Sequence, residues 1–179
     1  MDTHNLSRRT EAVGRELREN SADIVFLQEV VPETFSLLEA TLTDYECIAA
    51  KQENYFVATL LRKGRVYLDR KKVRLNSFHI RNIIGHCQVV DFPTSRMYRH
   101  LLAVQAHCGS VRLDLMNTHL ESTKEHATER KKQLEMCLGL VERRPIDNTV
   151  HLPSYSYSVT CDCVLLKGAV RRGPQHARQ

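Results

Sequence analysis

With 179 residues the chain can form one domain with a sizeable core, and it is too short for two full ones. Apolar residues at 42% and charged residues at 26% exclude a disordered or fibrous chain. Twenty-six Lys and Arg against 21 Asp and Glu leave a formal charge of +5, a mild bias toward polyanions that by itself identifies no partner.

In chain order, Thr10, Val13 and Leu17 recur at helical spacing and predict a surface helix over 7–19. The run Ile24-Val25-Phe26-Leu27-Gln28-Glu29-Val30 within 23–30 is continuous and apolar, the pattern of a strand covered on both faces. Pro32 suits a first helical position, and Phe35, Leu38 and Leu42 extend that helix to Asp44. Period-two alternation then predicts strands at 45–50, 55–62 and 66–73, arranged as an antiparallel meander. A hairpin of 101–107 and 111–120 turns at Gly109-Ser110 and delivers Asn117, Thr118 and His119 at its end. Ser122-Thr123-Lys124-Glu125 has the form of a capping box, opening a helix whose Ala127, Leu134, Leu138 and Val141 share a face. Helix, strand, helix and then many strands predict an α/β protein.

Two stretches depart from this scheme. Residues 76–88 interrupt what would be a short connection and read as an insertion. From His151 the text changes character: Tyr155, Tyr157, Val159, Cys161 and Cys163 alternate like a strand, and 167–179 is a basic tail expected to be disordered. The amino terminus has no apolar leader and no stretch approaches the roughly 18 apolar residues of a membrane span, so no membrane contact and a reducing intracellular setting are expected. The six cysteines lack Cys-x-x-Cys spacing and read as ordinary thiols, and the scatter of His79, His86 and Cys87 is set aside as a metal site.

Three features could carry chemistry. Glu29 stands at the carboxyl end of the core strand, where open α/β sheets place ligand-binding groups; a carboxylate there either binds a cation or is an exposed loop residue. Asn117-Thr118-His119-Leu120-Glu121-Ser122 ends a strand and enters a helix, so that an imidazole and free amides could meet an anion, unless the segment only caps the helix. Arg62, Lys63, Arg65, Arg70, Lys71, Lys72 and Arg74 form a basic run that either binds phosphates or is a solvated face.

Together with Asn5-Leu6-Ser7, Tyr55-Phe56, Arg96-Met97-Tyr98-Arg99, His126-Ala127 and Glu129-Arg130, the Leu27-Gln28-Glu29 and Thr118-His119-Leu120-Glu121-Ser122-Thr123 elements resemble the endonuclease/exonuclease/phosphatase superfamily over about 5–145. The Glu-Ser-Thr continuation and the Tyr-Phe pair favour its branch acting on tyrosyl-DNA bonds. The resemblance implies a two-sheet α/β sandwich, present here in part over 5–150 with a divergent tail at 151–179. It implies hydrolysis, with Mg2+ or in its place Mn2+, of bonds between DNA 5′-phosphates and tyrosine, as in topoisomerase 2 adducts, and so DNA repair in the nucleus, with cytoplasmic residence open. By the same resemblance Glu29 matches the metal ligand, His119 a histidine on the scissile phosphate and Ser122 a residue beside it. Tyr55 and Arg99 match groups that line the DNA-end groove. The superfamily's Trp-Asn, Gly-Asp-x-Asn and Ser-Asp-His motifs have no match, and His151-Leu152-Pro153-Ser154 stands where the second should follow Val150. The expectation is therefore a weakly active or inactive relative, or a non-catalytic nucleic-acid-binding or misfolded fragment.

Overall fold

The alternation within β1 (Ile24–Val30) decides how the layers stack. Ile24 and Phe26 face one apolar cluster, shared with Leu102, Val104, Leu113 and Leu115 of a second sheet. Val25 and Leu27 face another, shared with Leu17, Phe35, Leu38 and Leu42 of two helices. Both faces of β1 are dry, which is why its apolar run is continuous rather than alternating.

The computed structural model describes residues 3–49, 54–69, 80–84, 87–143, 149–151 and 163–166. The remaining elements in order are α1 (Thr3–Asn20), α2 (Pro32–Thr41), β2 (Tyr45–Ala49), β3 (Phe56–Arg62), β4 (Tyr67–Leu68), β5 (Ile80–Ile84), β6 (Cys87–Asp91), β7 (His100–Cys108), β8 (Val111–Thr118), α3 (Ala127–Glu142), β9 (Thr149–His151) and β10 (Cys163–Leu166). One sheet has the order β10-β1-β3-β2. The other runs β5-β6-β7-β8-β9, with β4 also paired to β7. Every pairing is antiparallel except β8 with β9. Helices α1 and α2 cover the outer face of the first sheet, and α3 covers the second through Cys137, Met136 and Leu140 against Leu101, Ala103 and Met116. The result is the expected two-sheet α/β sandwich. No helix among the described residues is long and apolar enough to cross a membrane.

Three local readings change. The expected meander is broken after β3: residues 67 and 68 pair with His107 and Ala106 of the second sheet, and Val66, 3% exposed, anchors the crossing in the apolar layer between the sheets. The capping box does not form. Its residues stay in a loop because Arg130 Nη1 donates to the carbonyls of Glu121 (2.9 Å) and Thr123 (2.8 Å), and α3 starts at Ala127 with His126 at its N-cap. The buried face of α3 is also offset: Leu134 and Leu138 are exposed, while Gln133 and Cys137 are buried, because Gln133 is drawn inward by the Glu121 carboxylate. Within the stretches read as an insertion and a divergent tail, 80–84 and 87–88 pair with each other and Cys163–Leu166 is the neighbour of β1. Residues 76–79, the alternation at 155–161 and the tail at 167–179 lie outside the described residues.

Candidate active site

At Glu29 the regular strand breaks. The register between β1 and β3 shifts between Leu27 and Val30, and Glu29 has φ of 53°, the left-handed region that costs a non-glycine residue about 1–3 kcal/mol. The bulge turns the carboxylate outward between buried Gln28 and Val30, leaving its side chain 49% exposed.

Two buried amides join this strand end to the second sheet. Gln28 Nε2 donates to Thr118 O at 2.7 Å, and Asn117 Nδ2 donates to Leu27 O at 3.2 Å and to Ala58 O at 2.8 Å. The ends of β1, β3 and β8 are thereby fixed together, and His119, the residue after β8, is held with Nδ1 at 3.7 Å from Glu29 Oε1.

Arg99 completes the cluster. Its Nη1 lies 2.9 Å from His119 Nδ1, and its Nη2 donates to Ser122 Oγ at 3.3 Å. A guanidinium has donors only, so Nδ1 is the acceptor and the imidazole proton sits on Nε2. Burial, and then the Arg99 charge, push the His119 pKa down to about 4. The ring is uncharged at neutral pH, so its approach to Glu29 is not an ion pair. Burial also pulls the Arg99 guanidinium down from its usual range, with Glu29 and Glu121 acting the other way, and arginine remains a cation within any such range. The set thus offers one fixed positive charge, a neutral N–H donor and a hydroxyl, which suits an anion such as a phosphate oxygen.

Glu29, Tyr55, Tyr98, Arg99 and His119 line one narrow cleft. The structure therefore brings together four of the predicted residues, and the fifth, Ser122, joins them through Arg99. Tyr55 and Tyr98 are 50% and 80% exposed at the mouth of the cleft. Sequence reasoning gave no role to Tyr98, whose φ of 57° marks it as held in a rare conformation. It also missed Gln28 as a tie between the sheets and Glu121 as a buried carboxylate. A roomier groove between β6 and α3 is lined by Val90, Pro93, Met136 and Leu140 together with Lys132, Glu135 and Arg143, and none of the five predicted residues lines it.

For a metal, Glu29 is the one carboxylate lining the cleft among the described residues, and no group of three or more His, Cys, Asp or Glu side chains converges among them. An exposed carboxylate facing an anion-binding cluster fits a hard cation such as Mg2+, which takes one or two carboxylates together with phosphate oxygens and water. The other candidate surface is occupied by structural bonds. Arg62 Nη1 donates to Ser21 O at 2.9 Å, Lys63 Nζ to Thr43 O at 2.8 Å, and Arg65 pairs with Asp23 at 3.3 Å. Arg70, Lys71, Lys72 and Arg74 lie outside the described residues.

The fold is that of endonuclease/exonuclease/phosphatase proteins: the structure superimposes on a Bacteroides thetaiotaomicron mannosyl-6-phosphatase with a TM-score of 0.62 at 12% identity, covering 84% of this chain and 58% of that one. In sequence the chain is similar to tyrosyl-DNA phosphodiesterase 2. It is 37% identical to the human protein over 150 residues, 84% of this chain, and spans just over a third (37%) of that relative's length. The Danio rerio enzyme in complex with a single-strand DNA product matches with a TM-score of 0.72 and 31% identity, covering 84% of this chain and 54% of that one. No family model matches the chain.

Proposed function

We propose that this chain works as a metal-dependent phosphodiesterase at DNA 5′ ends carrying a covalently attached tyrosine or peptide, with topoisomerase 2 adducts as the substrate class and DNA repair in the nucleus as the setting. The observation that carries the reading is the convergence of Glu29, Arg99 and His119, drawn from both sheets, on one cleft, with Ser122 joined to them through Arg99. Similarity to a relative crystallised with single-strand DNA product supports DNA as the ligand.

In this reading Arg99 and the His119 Nε2–H hold the oxygens of the 5′-phosphate, with the Ser122 hydroxyl beside them. Such preorganised donors favour a transition state because charge grows on oxygens they already face. Tyr55 offers a ring on which an unpaired base near the end can stack. Glu29 would hold Mg2+ or Mn2+, and the bound ion would supply neutralisation of phosphoryl charge. Turnover is expected to be slow, because no second carboxylate lines the cleft among the described residues to orient an attacking water.

The decisive experiment incubates the chain with a 5′-phosphotyrosyl oligonucleotide and Mg2+. Slow tyrosine release that disappears with EDTA and in Glu29→Gln is the expected result; release unaffected by both would overturn the metal assignment. The lone carboxylate also favours a second reading, a binder of 5′-phosphate ends without turnover. It predicts salt-sensitive binding of 5′-phosphorylated single-stranded DNA with no release of tyrosine at any metal concentration.

A further inference from the structure

Glu121 has no solvent exposure, yet its carboxylate is placed against neutral donors only. Its Oε2 accepts from Ser95 Oγ at 2.6 Å and from Gln133 Nε2 at 3.1 Å, and its Oε1 accepts from the backbone amides of Arg96 at 2.9 Å and Met97 at 3.1 Å. The nearby Arg130 guanidinium goes instead to the Glu121 and Thr123 carbonyls. A buried carboxylate is costly unless every lone pair is engaged, so this arrangement calls for a reason beyond packing.

The bonds run in one direction. Ser95 Oγ, which donates to Glu121, accepts from the amide of Arg99 at 2.9 Å. Glu121 and Ser95 thus hold the loop on both sides of Tyr98, the residue at φ of 57°. A strained residue persists only when its surroundings determine it from more than one side, and here the turn at Tyr98 directs Arg99 back to His119 and Ser122. The same strand exit therefore supplies His119 and Ser122 to the cleft and, between them, the carboxylate that aims their partner.

We infer that Glu121 is a positioning residue, whose buried carboxylate sets the 95–99 loop so that Arg99 meets His119 and Ser122 at the anion subsite. The inference rests on the proposed role of Arg99 in holding a 5′-phosphate. It makes Glu121 act through Arg99 and not by touching the ligand.

The test uses the full chain and two probes, the same single-stranded oligonucleotide with a 5′-phosphate and with a 5′-hydroxyl. Affinities are measured for the unaltered protein, Glu121→Gln, Arg99→Ala and the double variant. Glu121→Gln keeps the size but replaces an acceptor by a donor facing Ser95 and Gln133, and it is expected to weaken binding of the 5′-phosphate probe about tenfold while leaving the 5′-hydroxyl probe unchanged. Because both residues act at one point, the double variant is expected to bind no worse than Arg99→Ala. Ser95→Ala, which removes only the link between the carboxylate and the Arg99 amide, provides the same comparison if Glu121→Gln does not fold, with a smaller loss of the same selectivity. Equal loss for both probes, or losses that add in the double variant, would overturn the positioning role. Arg99→Ala retaining full preference for the 5′-phosphate would instead overturn the reading of the cleft itself, and this inference with it.

Discussion

The two ends of the sandwich use the same residue types to opposite effect. At the end holding Ser21, Asp23 and Thr43, each cation of the described basic run is bound to a carbonyl or to Asp23, which closes off the termini of α1, β1 and β3. At the end holding Glu29 and His119, Arg99 donates to an imidazole nitrogen and a hydroxyl, and its Nε, though buried, has no partner among the described residues. A guanidinium on a backbone carbonyl is tied to the fold's own main chain. One on a neutral imidazole and a serine keeps its charge available for a ligand. Basic character therefore says less about function than the identity of what the base already touches.

The largest effect should come from exchanging the two arginines in the experiment. Arg99→Ala is expected to lower any turnover of a 5′-phosphotyrosyl oligonucleotide about a hundredfold, the scale for losing a donor to developing charge. Its melting temperature should change little, since Arg99 supports no backbone through its side chain. Arg62→Ala is expected to do the reverse, costing about 1–2 kcal/mol of stability from the lost charge-assisted bond to Ser21 O and leaving turnover unchanged. Similar activity losses in the two variants, measured beside thermal melts, would abolish the distinction between the ends.

Acid should also act on the ends unequally. In the metal-free protein the folded His119 pKa lies near 4, below the usual 6.5, so as pH falls below 6.5 the unfolded chain takes a proton that the fold refuses. Stability should fall by roughly 2–3 kcal/mol between those values, the ring being mostly buried. Glu121 adds to this in the same direction. Burial pushes its carboxyl up, but the bonds from Ser95, Gln133, Arg96 and Met97 outweigh burial and hold it below the ordinary carboxylate range. The stabilisation it gives is present above its unfolded pKa and is lost as pH falls through the folded one. Urea melts in EDTA from pH 7 to 4 should show this decline, and His119→Asn should remove its upper part. A flat profile in the unaltered protein would mean that the ring is not buried as described.

Legibility in the sequence followed the same divide. β1 and α2 could be read because apolar residues report burial directly, and Glu29 stood out as a carboxylate at the end of the driest strand. The polar groups that fix the cleft could not be read, since a buried Gln28, Asn117 or Glu121 looks like any surface residue until its partner, distant in sequence, is known. The misreading of 122–125 has that cause: the short-range capping pattern is real, but Arg130 and Gln133 claim the segment from one helical turn further on. Likewise Leu134 and Leu138 fit a helical face by spacing, while the buried face was chosen by a hydrogen bond from Gln133 to Glu121. The family resemblance reached Glu29, Tyr55, Arg99, His119 and Ser122 together because motifs encode such long-range pairings and periodicity does not.

The smallest expected effects test strain. Ser21, at the far end, and Tyr98, at the cleft, have φ of 49° and 57°, and in both places glycine would adopt the conformation without steric cost. Ser21 follows α1 and its amide donates to the Leu17 and Arg18 carbonyls at 3.0 and 3.1 Å, the arrangement of a helix C-terminus that commonly takes glycine. Ser21→Gly is expected to stabilise by up to about 1 kcal/mol, less what is lost with the bond from its hydroxyl to Arg18 O, and to leave oligonucleotide binding alone. Tyr98→Gly should relieve a similar strain, so its melting temperature should hold or rise slightly. It also removes an exposed ring from the mouth of the cleft, and affinity for single-stranded DNA should fall by about 1 kcal/mol or more, the scale of one base stacked on an aromatic side chain. Strain with no consequence for binding at either position would make the conformation of Tyr98 a packing detail. A loss of binding at Tyr98 alone would show that the cleft maintains its strain in order to present a ring to the ligand.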